Sequence, residues 1–128
     1  MSLICLDSSG WIEITHDGAN AKTFAKALTS SSPLIVSTIS LYEIVRYTLR
    51  VAGEAAAEEL LALLHQHTVT PVTAEIANLA ATLGTRHKLA MADALIYATA
   101  QNQHATLWTQ DDDFKGLPHV KYFPKTEI

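Results

Sequence analysis

The amino-acid sequence predicts an α/β fold in which a parallel sheet is covered by helices on both faces. Short apolar runs alternate along the chain with longer segments of helical periodicity, a pattern typical of parallel strands joined by helices. The length of 128 residues and the 48% hydrophobic content are ordinary for one globular unit with one core. We therefore expect residues 1–128 to form a single domain.

Five segments are expected to be strands because they are short, rich in apolar or β-branched residues, and bounded by turn-forming or polar residues. They are residues 3–6, 34–36, 69–72, 106–109 and 121–123. The first ends at Asp7, and the fourth is followed closely by three consecutive aspartates.

The segments between these strands are expected to be helices because apolar residues recur in them at helical spacing. The first begins near Trp11 after the turn-forming sequence S-S-G, and Gly53 separates the third from the fourth. The last is apolar nearly all round, which predicts deep burial. The predicted helices cover residues 11–14 and beyond, 20–28, 40–50, 56–64, 74–86 and 91–102.

Charge, cysteine content and hydropathy exclude several classes of protein. The formal net charge of −4 gives no sign of a general nucleic-acid-binding surface. Cys5 is the sole cysteine, so no internal disulfide can form, which fits a reducing compartment. The N-terminal apolar run stops at Asp7 without a preceding basic region, and no run of about 18 apolar residues follows. We expect a cytoplasmic protein that does not enter a membrane.

Acidic residues interrupt four apolar stretches, where a folded chain rarely places carboxylates unless they are paired or bound to metal. Because sites in open α/β sheets form at the carboxyl ends of strands, we expect those that follow strands to meet at one edge. Alternation predicts that the first and third aspartates of the triplet share a side and that the second points away. The residues are Asp7, Glu43, Asp93 and the triplet Asp111, Asp112 and Asp113.

Each of these acids also has a purely structural interpretation. Asp7, followed by two serines, suits a helix N-cap. Glu43 completes an S-x-x-E capping box that begins at Ser40. Asp93 is of a type favoured at N-caps and stabilised by the helix dipole, and the aspartate triplet alone is typical of a solvated turn.

Taken together, the acids favour a site for a hard divalent cation. Two carboxylates about 4 Å apart repel by about 4 kcal/mol at an effective dielectric of about 20, so a gathered group needs a cation, protonation or separation. The candidate ligands are all oxygen donors, which suit Mg²⁺ or Mn²⁺ ahead of Zn²⁺. A site of this kind can activate water and stabilise a leaving oxygen in phosphodiester hydrolysis.

The order and spacing of these acids bring out a family resemblance that extends over essentially the whole chain. The chain resembles the PIN-domain ribonucleases and, within them, the VapC-like toxins of bacterial type II toxin–antitoxin pairs. Four stretches carry the resemblance: L-D-S-S at 6–9, S-L-Y-E-I at 40–44, L-A-M-A-D-A-L-I-Y-A-T-A at 89–100, and L-W-T-Q-D-D-D-F at 107–114.

The resemblance implies a three-layer α/β/α fold and an endoribonuclease that uses Mg²⁺ or Mn²⁺. By matched position, the catalytic acids would be Asp7, Glu43, Asp93 and Asp111. The chain departs from the family pattern in its aspartate triplet, so the fourth metal ligand would be Asp111, Asp113 or both. Ser9 and Thr109 match hydroxyl positions that would orient the carboxylates.

The resemblance also implies partners: an RNA substrate, a cognate small antitoxin that inhibits the enzyme, and a second copy of the chain in a homodimer. Apolar stripes at 56–64 and 76–83 are candidates for the dimer contact. Arg46 and Arg50 follow Glu43 on its helix and either contact RNA phosphates or form a solvated helix edge.

Two alternatives belong to other classes. The first is a PIN-fold protein-interaction module that has lost catalysis, and the second is a phosphoacceptor receiver domain. A receiver normally has an acidic pair after its first strand, whereas Ser8 and Ser9 follow Asp7 here.

Overall fold

A five-stranded, fully parallel sheet forms the centre of the molecule in a computed structural model that describes residues 3–125. The strand order is β3-β2-β1-β4-β5, so β1 lies in the middle. All five predicted strands are present, with bounds that differ from the prediction by at most two residues. They are β1 (Leu3–Leu6), β2 (Ile35–Ser37), β3 (Thr68–Thr70), β4 (Ala105–Thr109) and β5 (Val120–Tyr122).

Six α-helices connect the strands, close to the predicted positions. The segment at 20–28 is divided into a short α-helix and a 3₁₀ helix, Lys26–Thr29. A second 3₁₀ turn, Asp112–Phe114, follows β4. The α-helices are α1 (Ser8–Thr15), α2 (Ala21–Ala25), α3 (Thr38–Ala52), α4 (Glu54–Leu64), α5 (Ala74–His87) and α6 (Met91–Asn102).

Two hydrophobic cores, one on each face of the sheet, complete the three-layer α/β/α arrangement. Adjacent strand residues point to opposite faces: Cys5 belongs to the core with α5 and α6, whereas Leu6 belongs to the core with α1 to α4. Helix α6 is buried along most of its length, as its apolar sequence predicts, although Met91 at its start is 78% exposed.

Two helix starts differ from the capping interpretations of the sequence. Helix α3 begins at Thr38, because Ser37 is its N-cap and the Ser37 hydroxyl accepts a hydrogen bond from the Ile39 N–H at 3.1 Å. Ser40 therefore lies inside the helix, and the capping-box interpretation of Glu43 is wrong. Asp93 is likewise not an N-cap: Ala90 holds that position, which places Asp93 in the first turn of α6.

The topology brings the ends of β1 and β4 together. These two strands are hydrogen-bonded neighbours, with Leu6 opposite Trp108. The chain passes from β1 to β2 and β3 on one side of the sheet, and then crosses to β4 and β5 on the other side of β1. The carboxyl end of β1 is therefore a topological switch point, where α/β proteins form their sites. Asp7 directly follows β1 at this edge.

Within residues 3–125, no helix is both long and apolar enough to cross a membrane.

Candidate metal centre

Three carboxylates lie close together at the carboxyl edge of the sheet. Asp93 comes from the first turn of α6, while Asp111 and Asp113 come from the turn after β4. One carboxylate oxygen from each lies within 4.8 Å of the others. The turn places Asp111 and Asp113 on the same side, as expected, whereas Asp112 is exposed and lies outside this group.

Asp7 is held beside this group by a set of short hydrogen bonds. Its side chain is only 4% exposed. One carboxylate oxygen, Oδ1, accepts from the Ser9 hydroxyl at 2.7 Å and from the Gly10 N–H at 3.0 Å, whereas Oδ2 accepts from the Thr109 hydroxyl at 2.5 Å. The Gly10 contact makes Asp7 the N-cap of α1, so the same carboxylate caps the helix and faces the acidic group.

Glu43 reaches the same edge from α3. The Ser8 hydroxyl donates to Glu43 Oε1 at 2.5 Å across 35 positions of sequence. Neither Glu43 nor Asp7 belongs to the 4.8 Å group, but the charges of both raise the pKa of Asp93. The structure therefore places all five predicted acids in one electrostatic neighbourhood.

Thr109 links two of the carboxylate positions. Its hydroxyl donates to Asp7 and accepts from the backbone N–H of Asp111 at 3.0 Å. Asp111 in turn accepts from the N–H of Asp113 at 3.0 Å, which fixes the turn. Ser9 reaches the same turn through a longer contact, 3.5 Å, from the Gln110 N–H.

Burial and mutual repulsion both disfavour the ionised forms of these acids. Burial raises the pKa of Asp7 to about 6, despite the hydroxyl and backbone donors that lower it and with a further rise from Asp111. The pKa of Asp93 is also raised to about 6, first by burial and then by the surrounding charges. These charges belong to Asp111, Asp113, Glu43 and Asp7.

The donor set fits a hard divalent cation. Oxygens on opposite sides of a Mg²⁺ ion lie about 4.2 Å apart, so small side-chain rotations would let the 4.8 Å group close around one. Within the part of the chain that the structure describes, no histidine or cysteine joins the group, which favours Mg²⁺ or Mn²⁺ over Zn²⁺. A bound cation would also offset the repulsion that raises the pKa values of Asp7 and Asp93.

Sequence reasoning missed two contributions to this edge. The sequence predicts Ser8 only as part of the turn before α1, yet its hydroxyl holds Glu43. The buried amides of Asn20 and Gln110 contact each other at 3.1 Å and join the α1–α2 connection to the turn after β4. The position of Ser8 directly after Asp7 was a usable signal, whereas the Asn20–Gln110 pair, 90 positions apart, left none.

Replacing Thr109 with Val is expected to damage this edge although the two side chains have nearly the same shape. Loss of the Thr109 hydroxyl would leave an Asp7 oxygen and the Asp111 N–H without their buried partner, which lowers the free energy of unfolding by about 1–3 kcal/mol. Mn²⁺ affinity should fall about 10- to 100-fold because two carboxylates lose their orientation. Urea unfolding and calorimetric Mn²⁺ titration measure these effects. Thr109→Ser, which keeps the hydroxyl, is the control, and equal Mn²⁺ affinity in Thr109→Val would contradict the assigned role.

Comparison with solved structures identifies several chains of similar fold. A toxin–antitoxin complex from Klebsiella pneumoniae contains a chain that is 24% identical with a TM-score of 0.81, covering 94% of this chain and 96% of that one. VapC20 of Mycobacterium tuberculosis, a toxin that cleaves the sarcin-ricin loop, is also 24% identical, with a TM-score of 0.74 and coverage of 94% and 99%. DNA-bound VapBC from Salmonella typhimurium is 16% identical, with a TM-score of 0.75 and coverage of 97% and 98%.

Family assignment rests on sequence as well as on shape. No curated protein is similar enough to count as a relative. The sequence pattern of the PIN domain, however, matches residues 4–120, which include every helix and at least part of every strand described above. The chain therefore belongs to the PIN-domain family.

Proposed function

We propose that this protein is a metal-dependent endoribonuclease toxin that hydrolyses RNA phosphodiester bonds. The observation that carries the proposal is the acidic group formed by Asp93, Asp111 and Asp113, with Asp7 and Glu43 beside it, in a PIN-domain chain. The similar VapC20 structure is described as a toxin that cleaves an RNA loop, which supports RNA as the substrate.

In this proposal, the metal ligands are drawn from five carboxylates. Asp7, Glu43, Asp93 and Asp111 are the catalytic acids, and Asp113 is a further candidate ligand, so the choice between Asp111 and Asp113 stays open. When bound, Mg²⁺ or Mn²⁺ supplies Lewis acidity toward a phosphate oxygen and toward the attacking water. The chain supplies the orientation: Thr109 and Ser9 hold Asp7, and Ser8 holds Glu43.

The charges beside the acidic group suit a polyanionic substrate. Arg46 and Arg50 are exposed on α3, the helix that carries Glu43. Each can contact a backbone phosphate and hold the RNA in register without selecting its sequence. The nearby N-terminus of α6 contributes partial positive charge beside Asp93.

The proposed function is tested by incubating the purified protein with cellular RNA and Mn²⁺. Internal cleavage is expected with Mn²⁺ or Mg²⁺ and should disappear when the metal is removed with EDTA and return when it is restored. Calorimetric titration tests the alternative of an interaction module without catalysis. Absence of Mn²⁺ binding at millimolar concentration, together with intact RNA, would favour that module and reject the enzyme.

A cognate small antitoxin is proposed as a partner. The similar Klebsiella structure is a toxin–antitoxin complex, and the Salmonella VapBC structure was solved bound to DNA. The expected setting is the cytoplasm, where toxin, antitoxin and RNA meet. Co-expression with a small protein whose gene adjoins the gene for this chain should give a stable complex in which RNA cleavage is suppressed, and free toxin from such co-expression would count against the partner.

A homodimer is proposed as the oligomeric state, but the two apolar stripes expected to form its contact are mostly used inside the chain. Most of the two predicted stripes is buried inside this chain, including Leu60, Leu64 and Ile76. A shallow apolar cleft of about 590 Å³ between α5 and α6, with exposed Met91 at its rim, is the better candidate. Light scattering should give a dimer at micromolar concentration, and a monomer would contradict it.

A further inference from the structure

A cleft on one side of α3 begins at Glu43 and runs toward the carboxyl end of that helix. Its volume is about 430 Å³, and α1 contributes one wall through Ile12. The remaining lining residues lie on successive turns of α3: Tyr42, Glu43, Arg46, Tyr47 and Arg50.

This cleft approaches the acidic group through Glu43. Glu43 lines it, accepts a hydrogen bond from Ser8, and raises the pKa of Asp93 by its charge. A ligand in the cleft therefore lies directly beside the candidate metal centre. A linear substrate that is cut at the acidic group can therefore place the unit next to the cut bond in this cleft.

The two tyrosines of the cleft have different surroundings. Tyr47 is held in place: its hydroxyl contacts His16 Nε2 at 2.5 Å, and the guanidinium carbon of Arg50 lies 5.4 Å from its ring centroid. Tyr42 is 59% exposed. Among residues 3–125, its ring stacks on no other aromatic side chain and carries no cation, so it presents a free aromatic face beside Glu43.

The positive charge of the cleft is concentrated in arginine. Arg46 and Arg50 are two of the three arginines in the chain, and both are exposed on its rim. Within the described part of the chain, neither guanidinium is engaged in an ion pair with a carboxylate. Two exposed guanidinium groups and an exposed aromatic ring that line one cleft match the elements that bind single-stranded nucleic acids.

We propose that this cleft is the subsite for one unpaired nucleotide next to the phosphate that is cut. Its base stacks on Tyr42, and Arg46 and Arg50 contact the phosphates that follow. This proposal rests on the proposed ribonuclease function and adds a substrate requirement, because a base held in an A-form helix is not free to stack on a side chain. Tyr42 is a positioning residue for the substrate and takes no part in the chemical step.

The test uses the purified full chain, Mn²⁺ and a fluorescent unstructured oligoribonucleotide. Tyr42→Ala should lower kcat/KM by roughly 5- to 100-fold, mainly through a higher KM, because it removes the stacking surface. Tyr42→Phe keeps the aromatic face and should stay within about twofold of the unmodified protein. Leu49→Ala is the matched control, because Leu49 is an exposed side chain of the same helix that lines a different cleft.

An altered substrate distinguishes stacking from a general disturbance of the helix. Removing the base of the nucleotide next to the cut should lower kcat/KM of the unmodified protein by the same factor as Tyr42→Ala. The same abasic substrate should cause little further loss in Tyr42→Ala, since the two changes remove opposite sides of one contact.

The arginines are tested through the dependence of RNA binding on salt. Arg46→Ala and Arg50→Ala should each reduce the slope of log affinity against log salt by about 0.7, as expected for one lost phosphate contact on a single strand. Lys26→Ala, on the exposed 3₁₀ turn away from the cleft, should leave the slope unchanged.

The outcomes separate this proposal from the ribonuclease function. Cleavage that requires Asp93 but is unaffected by Tyr42→Ala overturns the subsite and leaves the function standing. Absence of any Asp93-dependent cleavage rejects the function, and fluorescence anisotropy with the same oligonucleotide then decides the subsite: equal binding by Tyr42→Ala and the unmodified protein overturns it. Unchanged RNA binding in both the tyrosine and arginine variants would leave the cleft to a protein partner.

Discussion

Replacing Asp93 with Asn is expected to reduce Mn²⁺-dependent RNA cleavage by on the order of 10³-fold. Metal-assisted charge stabilisation is worth several kcal/mol, and each 1.36 kcal/mol corresponds to about a tenfold change in rate. A carboxylate oxygen of Asp93 lies within 4.8 Å of one from Asp111 and one from Asp113. The charges of all four other candidate acids raise the pKa of Asp93. The neutral amide of Asn keeps the size of the side chain and removes the charge that holds the cation.

Asp112→Asn is the matched control for this loss. Asp112 belongs to the same triplet but is exposed and lies outside the acidic group, so its variant should keep full activity. Cleavage is measured with one RNA and one Mn²⁺ concentration in both variants. Equal activity of Asp93→Asn and the unmodified protein would mean that the cleavage comes from a contaminant or from another site.

The same comparison resolves the two candidates for the fourth ligand. Asp111 is more buried and accepts the Asp113 N–H, whereas Asp113 is exposed. If one of them is the ligand, its Asn variant should lose activity to the same extent as Asp93→Asn while the other keeps most of it. Comparable partial losses in both would indicate that the two share the role.

The sequence was sufficient to predict the acidic edge because local signals and sheet topology agree there. Asp7 directly follows β1, and the aspartate triplet follows β4 after one intervening glutamine. Parallel strands that share an edge bring the residues after them together. The adjacency of β1 and β4 was needed in addition, and it is the structure that provides it, through the pairing of these two strands.

The tightest grouping of acids was less predictable. The matched positions suggested Asp7, Glu43, Asp93 and Asp111 as one set, but the structure groups Asp93 with Asp111 and Asp113. The cause is the 3₁₀ turn after β4, which Asp111 caps through the Asp113 N–H and which turns both side chains to one side. A run of three aspartates does not reveal such a turn, because the same run also suits a solvated loop.

Helix α3 shows why a capping motif can mislead. Ser37 and Ser40 are both of a residue type favoured at N-caps, and only Ser40 has a glutamate three residues later. Ser37 is nevertheless the N-cap, because strand β2 extends to it through its pairing with Thr70 on β3. The glutamate is instead held by Ser8 from another element, a long-range contact that a local motif does not encode.

The metal-free protein is expected to lose stability as the pH rises from about 4 to about 6. The folded-state pKa values of Asp7 and Asp93 are both about 6, above their ordinary value of 3.8. Between these values the folded state binds more protons than the unfolded state, so the free energy of unfolding falls as the pH increases. For buried Asp7, a shift of about two units corresponds to about 3 kcal/mol.

A difference between variants isolates this effect from other titrating groups. Burial lowers the pKa of His67, whose Nδ1 accepts the Leu34 N–H at 3.0 Å. Protonation of His67 lowers the free energy of unfolding as the pH falls below about 6.5, so its effect on stability runs in the opposite direction with pH. Urea unfolding in EDTA is therefore compared between the unmodified protein and Asp93→Asn from pH 4 to 8. The amide should make the protein more stable at pH 7.5 and have little effect near pH 4.

Mn²⁺ should reverse the pH effect in the unmodified protein. A cation that binds only the folded state adds about 2.7 kcal/mol to the free energy of unfolding at a hundred times its dissociation constant. The gain should be large at pH 7.5 and small near pH 5, where protons compete for the same carboxylates. Asp93→Asn should be stabilised at neutral pH without metal and respond weakly to Mn²⁺, while losing activity. A variant that lost both activity and metal-free stability would instead identify Asp93 as a structural residue, because removing one of several mutually repelling charges should otherwise stabilise the metal-free fold.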